Sequence, residues 1–577
     1  MKPECMAEYR RWRESAALTE AERRELAELE GNEAEIESRF FAPLSFGTAG
    51  LRGVMGLGLN RMNAYVIRQA TVGLAELICR EGPEAMARGC VVCHDCREHS
   101  REFALIAARV MAGRGVHVRL FEDLRPTPEL SFAIRHYGAT AGVNVTASHN
   151  PKEYNGYKVY WADGAQLPPE HAAQVAAVMA RTDVLDPSPL LSFEEARERG
   201  LIELLGRETD EAFLAKALGE AVFPEKVRQA AERLSIVYTP FHGAGRVLVP
   251  EALRRLGVTK LYPVEEQMVP DGRFPTVKSP NPEDPAGFAL AAELADRVGA
   301  DLLIGTDPDS DRIGVLVRDA SGGFTPITGN QMGVLLIDYL LSARREAGTL
   351  PEKPAVLKTI VTTDLAKAAA EAGGAACFET FTGFKFMAEK IKQLEAEGSY
   401  RAVFAYEESY GCMAGDFVRD KDAVTAAVLM TELAAHYLLK GMSLLDAMDA
   451  IYARFGWYAE KTLNAVMPGV DGVARRQETM RRLRETPPET VGGLRVTAMR
   501  DYQTGLEREL ANGAEKPTAL KGSDVLIWLL EDGSKLAVRP SGTEPKIKLY
   551  LLLRGSSKAD CAAKMAACEK DTLALCE

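Results

Sequence analysis

The sequence predicts an α/β protein of several domains, and three observations lead to that prediction. The chain has 577 residues, which is too long for one hydrophobic core and is typical of about three to five domains. Short apolar runs alternate with helical patterns over residues 63–455, as they do in α/β folds. Strand-like runs then cluster in residues 460–577, which indicates a smaller α+β domain at the end.

The first unit opens with a charged helical segment, residues 6–30, which Gly31 is expected to end. Its later part, residues 168–230, is predicted to be helical, and we place a boundary near residue 207. Between them the periodicity predicts helices at 63–80 and 100–112 and strands at 90–93, 117–121, 141–145 and 156–161.

The remaining units are predicted in the same way. The second unit begins at the strand Ser235–Tyr238 and continues to Val317; the third begins near residue 324 and ends with a helix around Phe455. Strands are predicted near 355–359, 375–378 and 402–406 in the third unit, and at 494–500, 526–530, 535–538 and 546–552 in the last, with helices near 473–484 and 558–575. The predicted domains are therefore 1–207, 208–323, 324–457 and 458–577.

The composition excludes several classes of function. Hydrophobic residues make up 46% and charged residues 26% of the chain, as in ordinary soluble globular proteins. The formal net charge of −12 argues against nucleic-acid binding and against a basic membrane-binding surface. The N-terminal residues lack an apolar signal core, and no run of 18 apolar residues occurs, so we expect no membrane association and a cytoplasmic location.

The ten cysteines are scattered, as in a reduced cytosolic chain. The C-V-V-C-H motif at residues 90–94 matches the haem-attachment pattern. The chain shows neither an export signal nor a second ligand pair at a zinc-site spacing. A strand with Val91, Val92 and Cys93 buried is therefore the better interpretation.

The T-A-S-H-N-P motif at residues 146–151 follows the apolar run Ala141–Val145. Asn-Pro begins turns, and proline cannot continue a strand ladder. We therefore expect Ser148 on a tight turn at the carboxyl edge of a sheet, where α/β proteins bind ligands, with its hydroxyl pointing outward. Most such turns have only a structural role, and the other loops favour a functional one here.

Three aspartates alternate in the loop after the apolar strand Leu302–Ile304: Asp307, Asp309 and Asp311. Like charges so close together favour a hard divalent cation with oxygen ligands. A calcium EF-hand is excluded, since arginines occupy its glycine and glutamate positions. Three protein oxygens leave room for a phosphate oxygen, which suits Mg²⁺. The alternative is a solvated acidic turn.

Two loops carry groups for anions. The R-P-S-G-T-E-P motif at residues 539–545 lies between two strands; its guanidinium, hydroxyls and N–H groups suit a phosphate, and the alternative is a hairpin turn. The glycine-rich stretch 45–53 contains Thr48 and Arg52, which are suited to meeting an anion; the alternative is a flexible linker.

The E-E-S-Y-G motif at residues 407–411 follows the strand Ala402–Tyr406. Carboxylates at a strand end accept hydrogen bonds from vicinal sugar hydroxyls, and the alternative is an acidic cluster at a helix N-terminus. The T-F-T-G-F-K motif at residues 380–385 is a further strand-to-helix loop.

In this order, the loops resemble those of the α-D-phosphohexomutase superfamily. In that family T-A-S-H-N-P carries a phosphoserine, D-x-D-x-D-R binds magnesium, G-E-E-S-x-G contacts the sugar, and R-x-S-G-T-E-P binds the second phosphate. The resemblance covers residues 45–552. It implies four domains around a central cleft: three related α/β domains and a C-terminal α+β phosphate-binding domain.

The resemblance also implies roles for single residues. The metal ligands would be Ser148 (as the phosphoserine), Asp307, Asp309 and Asp311, and the catalytic cations and proton-transfer groups would be Arg52, His149, Lys158 and Lys421. The substrate-binding residues would be Arg312, Thr382, Gly383, Glu407, Ser409, Arg539, Ser541, Gly542 and Thr543. Lys421 matches with a shifted spacing. Tyr406 stands where many members have glycine, which is expected to alter only the backing of the sugar loop.

The length and the stretch 46–53 are most similar to the long bacterial phosphoglucomutase branch. That resemblance implies interconversion of glucose 1-phosphate and glucose 6-phosphate, with Mg²⁺ as cofactor, glucose 1,6-bisphosphate as intermediate and activator, and a monomer or homodimer acting on hexose phosphates. Phosphopentomutase and phosphomannomutase activity remain alternatives. So do a magnesium phosphatase and a catalytically silent sugar-phosphate-binding protein, although the intact motifs argue against the silent protein.

Overall fold

A computed structural model describes residues 2–467, 472–541 and 546–576. The chain forms two compact units: unit 1 comprises residues 1–328 and 410–441, and unit 2 comprises residues 329–409 and 442–577. Among the helices within these described ranges, none is both long enough and apolar enough to cross a membrane.

The prediction of one continuous charged helix over residues 6–30 is wrong. The segment forms two helices, α1 (Pro3–Glu14) and α2 (Glu20–Ala27), and α3 (Glu33–Phe40) follows. Thr19 explains the break: its hydroxyl accepts the backbone N–H of Glu22, whose carboxylate accepts the N–H of Thr19. This capping box starts a new helix at the point where the sequence pattern alone appeared continuous.

The first sheet of unit 1 contains six strands in the order β1-β5-β4-β2-β3-β6 among the described residues. Strands β2, β3, β4 and β6 are parallel, and β5 and β1 are antiparallel additions. The elements are β1 (Leu51–Val54), α4 (Ala64–Arg80), α5 (Pro83–Arg88), β2 (Cys90–His94), α6 (Ser100–Gly113), β3 (Val118–Phe121), α7 (Thr127–His136), β4 (Ala141–Val145), β5 (Tyr154–Trp161), α8 (Pro169–Arg181), α9 (Phe193–Glu198), β6 (Ile202–Leu205), α10 (Arg207–Gly219) and α11 (Pro224–Ala230).

Two strands of this sheet were not predicted: β1, which overlaps the glycine-rich stretch 45–53 that was interpreted as a loop, and β6. β6 lies within the segment 168–230, which was predicted to be helical throughout, and it pairs in parallel with β3. It has only four residues, of which the two central side chains are exposed, so it carries too little apolar pattern to be recognised. The interpretation of residues 90–93 as a buried strand is confirmed, since Cys90, Val91, Val92 and Cys93 are all buried in β2.

The second sheet of unit 1 has the strand order β11-β10-β9-β7-β8. Strands β7, β8 and β9 are parallel, and β10 and β11 extend the sheet in antiparallel fashion. The elements are β7 (Ser235–Thr239), α12 (Gly245–Leu256), β8 (Lys260–Pro263), α13 (Glu265–Met268), a 3₁₀ turn (Pro285–Phe288), α14 (Ala289–Val298), β9 (Leu302–Thr306), β10 (Ile313–Arg318) and β11 (Phe324–Ile327).

Unit 2 begins with a helix and three parallel strands in the order β13-β12-β14. These elements are α15 (Gly329–Glu346), β12 (Pro354–Thr359), α16 (Leu365–Ala372), β13 (Ala376–Thr380), α17 (Phe384–Glu397) and β14 (Arg401–Glu407). The chain then returns to unit 1 as β15 (Gly411–Ala414) and α18 (Ala423–Leu439).

The rest of unit 2 is rich in antiparallel strands, in the order β16-β23-β22-β21-β18-β19-β20 for the described residues, with β17 beside β18. Its elements are α19 (Leu444–Phe455), β16 (Trp457–Val466), α20 (Gly472–Glu485), β17 (Thr490–Val491), β18 (Leu494–Asp501), β19 (Leu506–Glu509), β20 (Glu515–Pro517), β21 (Leu526–Leu530), β22 (Lys535–Pro540), β23 (Lys546–Gly555) and α21 (Lys558–Ala574). The fold is therefore three α/β domains followed by a sheet-rich C-terminal domain, as predicted.

Candidate active site

Ser148 lies on a tight turn directly after β4, as the motif predicts. Its backbone adopts the left-handed conformation with φ of 53°, which is uncommon for residues other than glycine. The prediction of an outward, exposed hydroxyl is wrong: Ser148 is only 3% exposed. The reason is that its Oγ points at the acidic loop of the second sheet, where it donates a hydrogen bond of 2.6 Å to Asp307 Oδ2.

Arg97 holds this turn in place, and the sequence analysis missed it. The guanidinium is buried and donates to four backbone carbonyls of the turn, including that of Ser148 at 2.6 Å and that of Tyr154 at 2.9 Å. A strained turn needs such external bonds to persist. The signal was available, since Arg97 follows β2, whose carboxyl end lies beside that of β4 at the same sheet edge.

Asp95 supports the same turn through the hydroxyl of Thr146. Its Oδ2 accepts the Thr146 hydroxyl at 2.6 Å, and Thr146 Oγ1 in turn accepts the backbone N–H of Ser148 at 2.9 Å. Asp95 Oδ1 accepts the N–H of Arg97 at 2.9 Å. Residues that follow β2 thus hold the turn in two ways. Arg97 donates to its carbonyl groups, and Asp95 acts through Thr146 on the backbone N–H of Ser148.

The acidic loop follows β9, as predicted, and leads into β10, which was not predicted. Asp307 Oδ1 accepts the backbone N–H groups of Asp311 at 3.1 Å and Arg312 at 2.9 Å, which folds the loop around it. The loop also lies against the turn after β7: a Cβ on Gly243 would be 2.4 Å from Pro308 Cα. Only glycine allows that close approach of two backbones.

Lysine side chains from two other segments of the chain reach the carboxylates of the loop. Lys158, on β5, donates to Asp309 Oδ2 at 2.6 Å and to Asp311 Oδ2 at 3.2 Å, and Lys421 lies 3.4 Å from Asp311 Oδ2. Burial opposes ionisation of the Asp311 carboxyl, but these cations hold its pKa well below the ordinary value. Burial and then the charges of Asp309 and Asp311 raise the pKa of Asp307 well above its ordinary value.

The residues of this loop fit a divalent metal ion. One oxygen from each of Asp307, Asp309 and Asp311 lies within 4.8 Å of the others. Asp309 Oδ1 and Asp311 Oδ1 are buried and have no hydrogen-bond partner among the described residues. Unpaired buried carboxylate oxygens are costly, and hard divalent cations prefer oxygen donors of this kind. The cluster can therefore hold a metal ion.

Three more of the predicted cations and proton-transfer groups lie beside the turn. Arg52, on β1, donates to Asn150 Oδ1 at 2.9 Å, and burial lowers its pKa. His149 Nδ1 is 3.1 Å from Ser148 Oγ; burial, then the charges of Arg312 and Arg52, lowers its pKa well below the ordinary value. Arg312 pairs with Glu283 at 2.7 Å.

The side chain of Lys421 can reach the acidic loop because the residue packed against it, Gly411, has no side chain. A Cβ on Gly411 would lie 2.1 Å from Lys421 Cδ, so the lysine side chain occupies the space of a side chain there. Burial lowers the pKa of Lys158, but the charges of Asp309 and Asp311 outweigh burial and raise it. Unit 1 therefore brings together the predicted residues Ser148, His149, Lys158, Arg52, Lys421, Arg312, Asp307, Asp309 and Asp311.

The predicted sugar loops come together in unit 2. Gly383, in the loop after β13, has φ of 117°, and its N–H donates to Glu407 Oε1 at 2.7 Å. Glu407 ends β14 and is 5% exposed. Thr382 Oγ1 is buried without a hydrogen-bond partner among the described residues. The Thr382 hydroxyl and the Glu407 carboxylate therefore lie at one sheet edge.

Glu408 has a different role from its neighbour. Its Oε2 accepts the hydroxyls of Thr359 at 3.1 Å and Thr362 at 3.2 Å. Burial, then the charge of Glu407, raises the pKa of Glu408. Tyr406, the departure from the family motif, is fully buried against Gly333, where a Cβ would lie 2.1 Å from the ring. The Tyr406 ring of β14 therefore packs directly against α15.

Two predicted residues of the phosphate loop, Arg539 and Ser541, lie within the described part of unit 2, at and just beyond the end of β22. Burial raises the pKa of Tyr550, and the charges of Glu408, Arg539 and Glu407 all act on that group. The Ser541 N–H donates to Lys546 O at 2.9 Å, and Arg476 donates to Ser541 O at 2.8 Å. Ser409 lies just beyond β14. Gly542 and Thr543 lie outside the described residues.

Comparison with known proteins gives the same family for most of the chain. Residues 43–185, 213–322 and 328–455 match alpha/beta/alpha domains I, II and III of phosphoglucomutase/phosphomannomutase. A phosphoglucomutase of Staphylococcus aureus (strain MSSA476) is 37% identical over 535 residues, covering 92% of this chain and 94% of that protein. The strain MRSA252 protein of the same name is 36% identical with the same coverage.

Two solved structures have a similar fold. A phosphoglucomutase/phosphomannomutase family protein from Burkholderia thailandensis has a TM-score of 0.65 at 18% identity, over 92% of this chain and 97% of that chain. The Paramecium phosphoprotein pp63/parafusin, a phosphoglucomutase, has a TM-score of 0.66 at 17% identity, over 92% and 94%.

Proposed function

The chain belongs to the phosphoglucomutase/phosphomannomutase family of hexose phosphate mutases, and we propose that it interconverts glucose 1-phosphate and glucose 6-phosphate. The observation that carries this proposal is the 2.6 Å contact between Ser148 Oγ and Asp307 Oδ2. It puts a serine on a strained turn directly against a buried acidic loop with unpaired oxygens. A phosphoryl carrier needs that neighbourhood, whereas a structural turn does not.

The reaction has two phosphoryl transfers. In the first, the bond between phosphorus and Ser148 Oγ breaks and a bond to the 6-hydroxyl oxygen of glucose 1-phosphate forms. The resulting glucose 1,6-bisphosphate turns over in the site. In the second, the bond between phosphorus and the oxygen on carbon 1 breaks and the bond to Ser148 Oγ forms again, which releases glucose 6-phosphate. Such transfers depend mainly on alignment and charge neutralisation.

The residues of unit 1 supply most of that alignment. Arg97 fixes the carbonyls of the serine turn, so Ser148 Oγ stays directed at the acidic loop. Arg52 provides positive charge at the serine turn, where it bonds Asn150, and Lys158 provides positive charge at Asp309. We propose that Asp307, Asp309 and Asp311 hold Mg²⁺, which when bound supplies a positive charge that stabilises the negative charge of the transferring phosphoryl group.

The residues of unit 2 are proposed to hold the sugar phosphate. Thr382 and Glu407, with Ser409 close by in sequence, suit adjacent sugar hydroxyls. Arg539 with Ser541, Gly542 and Thr543 is proposed to hold the phosphate that is not being transferred. The four roles are assigned to the predicted domains 1–207, 208–323, 324–457 and 458–577, for phosphoserine, metal, sugar and phosphate respectively.

The first experiment tests the phosphoserine. Intact mass and peptide mapping of active enzyme are expected to place one phosphate on Ser148, and Ser148→Ala is expected to be inactive. The matched control is Ser131→Ala, at a buried serine on α7, and this variant should keep the phosphate on Ser148. Fully active enzyme without phosphate on a Ser148 peptide would reject the mechanism.

The second experiment tests the sugar. The 1-phosphates of glucose, mannose, ribose, deoxyribose and N-acetylglucosamine are compared by kcat/KM. We expect glucose first, mannose weaker and ribose weakest, since a misplaced hydroxyl leaves a polar group unpaired at a cost of about 1–3 kcal/mol. A higher kcat/KM for mannose or ribose 1-phosphate would move the assignment to a phosphomannomutase or a phosphopentomutase. Release of inorganic phosphate would indicate a phosphatase.

The third experiment tests the bisphosphate. Enzyme that has lost phosphate from Ser148 is expected to be inactive, and glucose 1,6-bisphosphate is expected to restart it without net consumption. Dephosphorylated enzyme that runs at full rate without any bisphosphate would contradict this part of the mechanism.

A further inference from the structure

Thr127, the first residue of α7, contacts the acidic loop although the two are 182 residues apart in sequence. Its backbone N–H donates to the carbonyl oxygen of Asp309 at 2.8 Å, and its hydroxyl donates to Asp309 Oδ2 at 2.7 Å. Thr127 is fully buried. A single residue of the first sheet domain therefore holds both the backbone and the carboxylate of one aspartate.

The Thr127 hydroxyl does not serve its own helix. The residue before α7 is Pro126, and no side-chain bond caps this helix. Threonine caps a helix from the N-cap position, which Pro126 occupies here, so capping does not explain the hydroxyl. Its partner is Asp309.

Asn144 fixes the direction of that hydrogen bond. This residue lies on β4, is fully buried, and donates from Nδ2 to Thr127 Oγ1 at 2.7 Å. A hydroxyl has one hydrogen, and a carboxylate is only an acceptor. Because the oxygen of Thr127 already accepts from Asn144, its hydrogen is left for Asp309. The chain of donors therefore runs from Asn144 through Thr127 to Asp309 Oδ2.

Asp309 Oδ2 has two donors as a result. It accepts from Thr127 at 2.7 Å and from Lys158 at 2.6 Å, whereas Oδ1 is buried with no partner among the described residues. Without the Thr127 hydroxyl, rotation of the carboxylate would let Lys158 pair with either oxygen. The hydroxyl keeps Lys158 and Oδ1 apart.

We propose that Thr127, oriented by Asn144, is a positioning residue that keeps Asp309 Oδ1 available for the divalent cation. The proposal rests on the proposed metal site. Partners that orient metal ligands through a second hydrogen bond typically change metal affinity about 10–100-fold when they are removed. We expect that size of effect from the hydroxyl alone, since the N–H bond to the Asp309 carbonyl does not depend on the side chain.

The test measures metal binding without substrate. Free Mn²⁺ is followed by electron paramagnetic resonance as it is titrated into the full-length, substrate-free enzyme. Thr127→Val keeps the shape and the backbone donor, and it is expected to weaken Mn²⁺ binding about 10–100-fold. Thr127→Ser keeps a hydroxyl and is expected to bind within about threefold of wild type. Asn144→Leu is expected to lie between them.

The control variant is Thr431→Val, a buried threonine on α18 whose hydroxyl has no partner among the described residues. It is expected to bind Mn²⁺ like wild type. At saturating metal, Thr127→Val should recover most of its kcat with an unchanged KM for glucose 1-phosphate, which a general packing defect would not produce.

Each outcome has a separate meaning. Equal Mn²⁺ affinity in Thr127→Val and wild type would overturn the positioning role and leave the metal site intact. Failure of wild type to bind Mn²⁺ would instead overturn the proposed metal site. If Thr127→Val does not fold, the comparison of Asn144→Leu with Thr127→Ser decides, and wild-type affinity in Asn144→Leu would then overturn the proposal.

Discussion

Two clusters of charged residues, one in each unit, differ in how their charges are paired; the first is buried, and in the second only Lys358 is fully buried. The acidic cluster of unit 1 consists of Asp307, Asp309 and Asp311 with Lys158 and Lys421. The lysine cluster of unit 2 consists of Lys358 and Lys535 with Asp364 and Glu379. Lys358 Nζ lies 2.8 Å from Glu379 Oε1 and 3.4 Å from Asp364 Oδ1. With Lys535, the second cluster contains two cations and two carboxylates.

The pKa directions follow from that difference. In the lysine cluster, burial opposes ionisation, but Lys358 and Lys535 hold the pKa of Asp364 down to about 2. In the acidic cluster, burial and the neighbouring aspartates raise the pKa of Asp307. A buried ion pair is costly to break by removing one partner, whereas a buried cluster with unpaired carboxylate oxygens indicates a place for a ligand.

The largest expected effect is on activity, from Asp309→Asn. The change removes a ligand charge without altering the shape of the loop. Losing several kcal/mol of charge stabilisation corresponds to a rate about 10²–10³-fold lower, measured as kcat with saturating Mg²⁺. The free energy of unfolding without metal should change by less than about 1 kcal/mol, because one of three like charges is gone.

The matched control is Asp301→Asn, an exposed aspartate near the same sheet, which should leave kcat unchanged. Near-normal turnover in Asp309→Asn, or activity that survives thorough chelation, would show that the acidic cluster does not act through a metal ion.

The next effect is on stability, from Lys358→Met. Removing one partner of a fully buried ion pair typically costs about 3–5 kcal/mol. We expect a smaller loss here, because the side chains of Asp364 and Glu379 are 28% and 34% exposed and Lys535 still pairs with Asp364. Urea unfolding measures the loss. Lys353→Met, at an exposed lysine beside the same strand, should change the unfolding free energy by less than about 0.5 kcal/mol. A loss in Lys358→Met no larger than that in Lys353→Met would mean that the lysine cluster contributes little to the fold.

A smaller effect is the acid dependence that Asp364 gives to unit 2. Its folded pKa of about 2 lies below the unfolded value, so its contribution is complete above about pH 4 and is lost as the pH falls toward 2. The shift corresponds to roughly 2 kcal/mol. The difference in unfolding free energy between wild type and Asp364→Asn should therefore be constant at pH 5–7 and shrink below pH 4. A constant difference down to pH 3 would contradict the assigned shift.

The last expected effect has the opposite sign and comes from Glu460, on β16. Burial raises its pKa to about 7, with the Thr363 side chain opposing. A carboxyl group with a raised pKa stabilises the fold at low pH, and that contribution is lost as the pH rises from about 4.5 to 7. Glu460→Gln should remove this slope from the stability of unit 2, measured by urea unfolding from pH 5 to 8. An unchanged slope would show that Glu460 ionises normally.

Much of the fold was predictable because the signals are local. The strands β4, β9 and β14 are short apolar runs, and the candidate site motifs begin where those runs end. The break at Thr19 and the edge strand β6 were not predicted. A capping box interrupts a helical pattern without changing its composition, and a four-residue edge strand with two exposed side chains has little pattern of its own.

The sequence by itself predicted which loops form the candidate site, and it determined that Ser148 lies on a turn directly after β4. Only the tertiary structure decided that Ser148 is buried against Asp307, and that Arg97 holds its turn. It also decided which aspartate oxygens have donors. That last property depends on Thr127, Lys158 and Lys421, which reach the loop from distant elements, and no local pattern specifies where such side chains end.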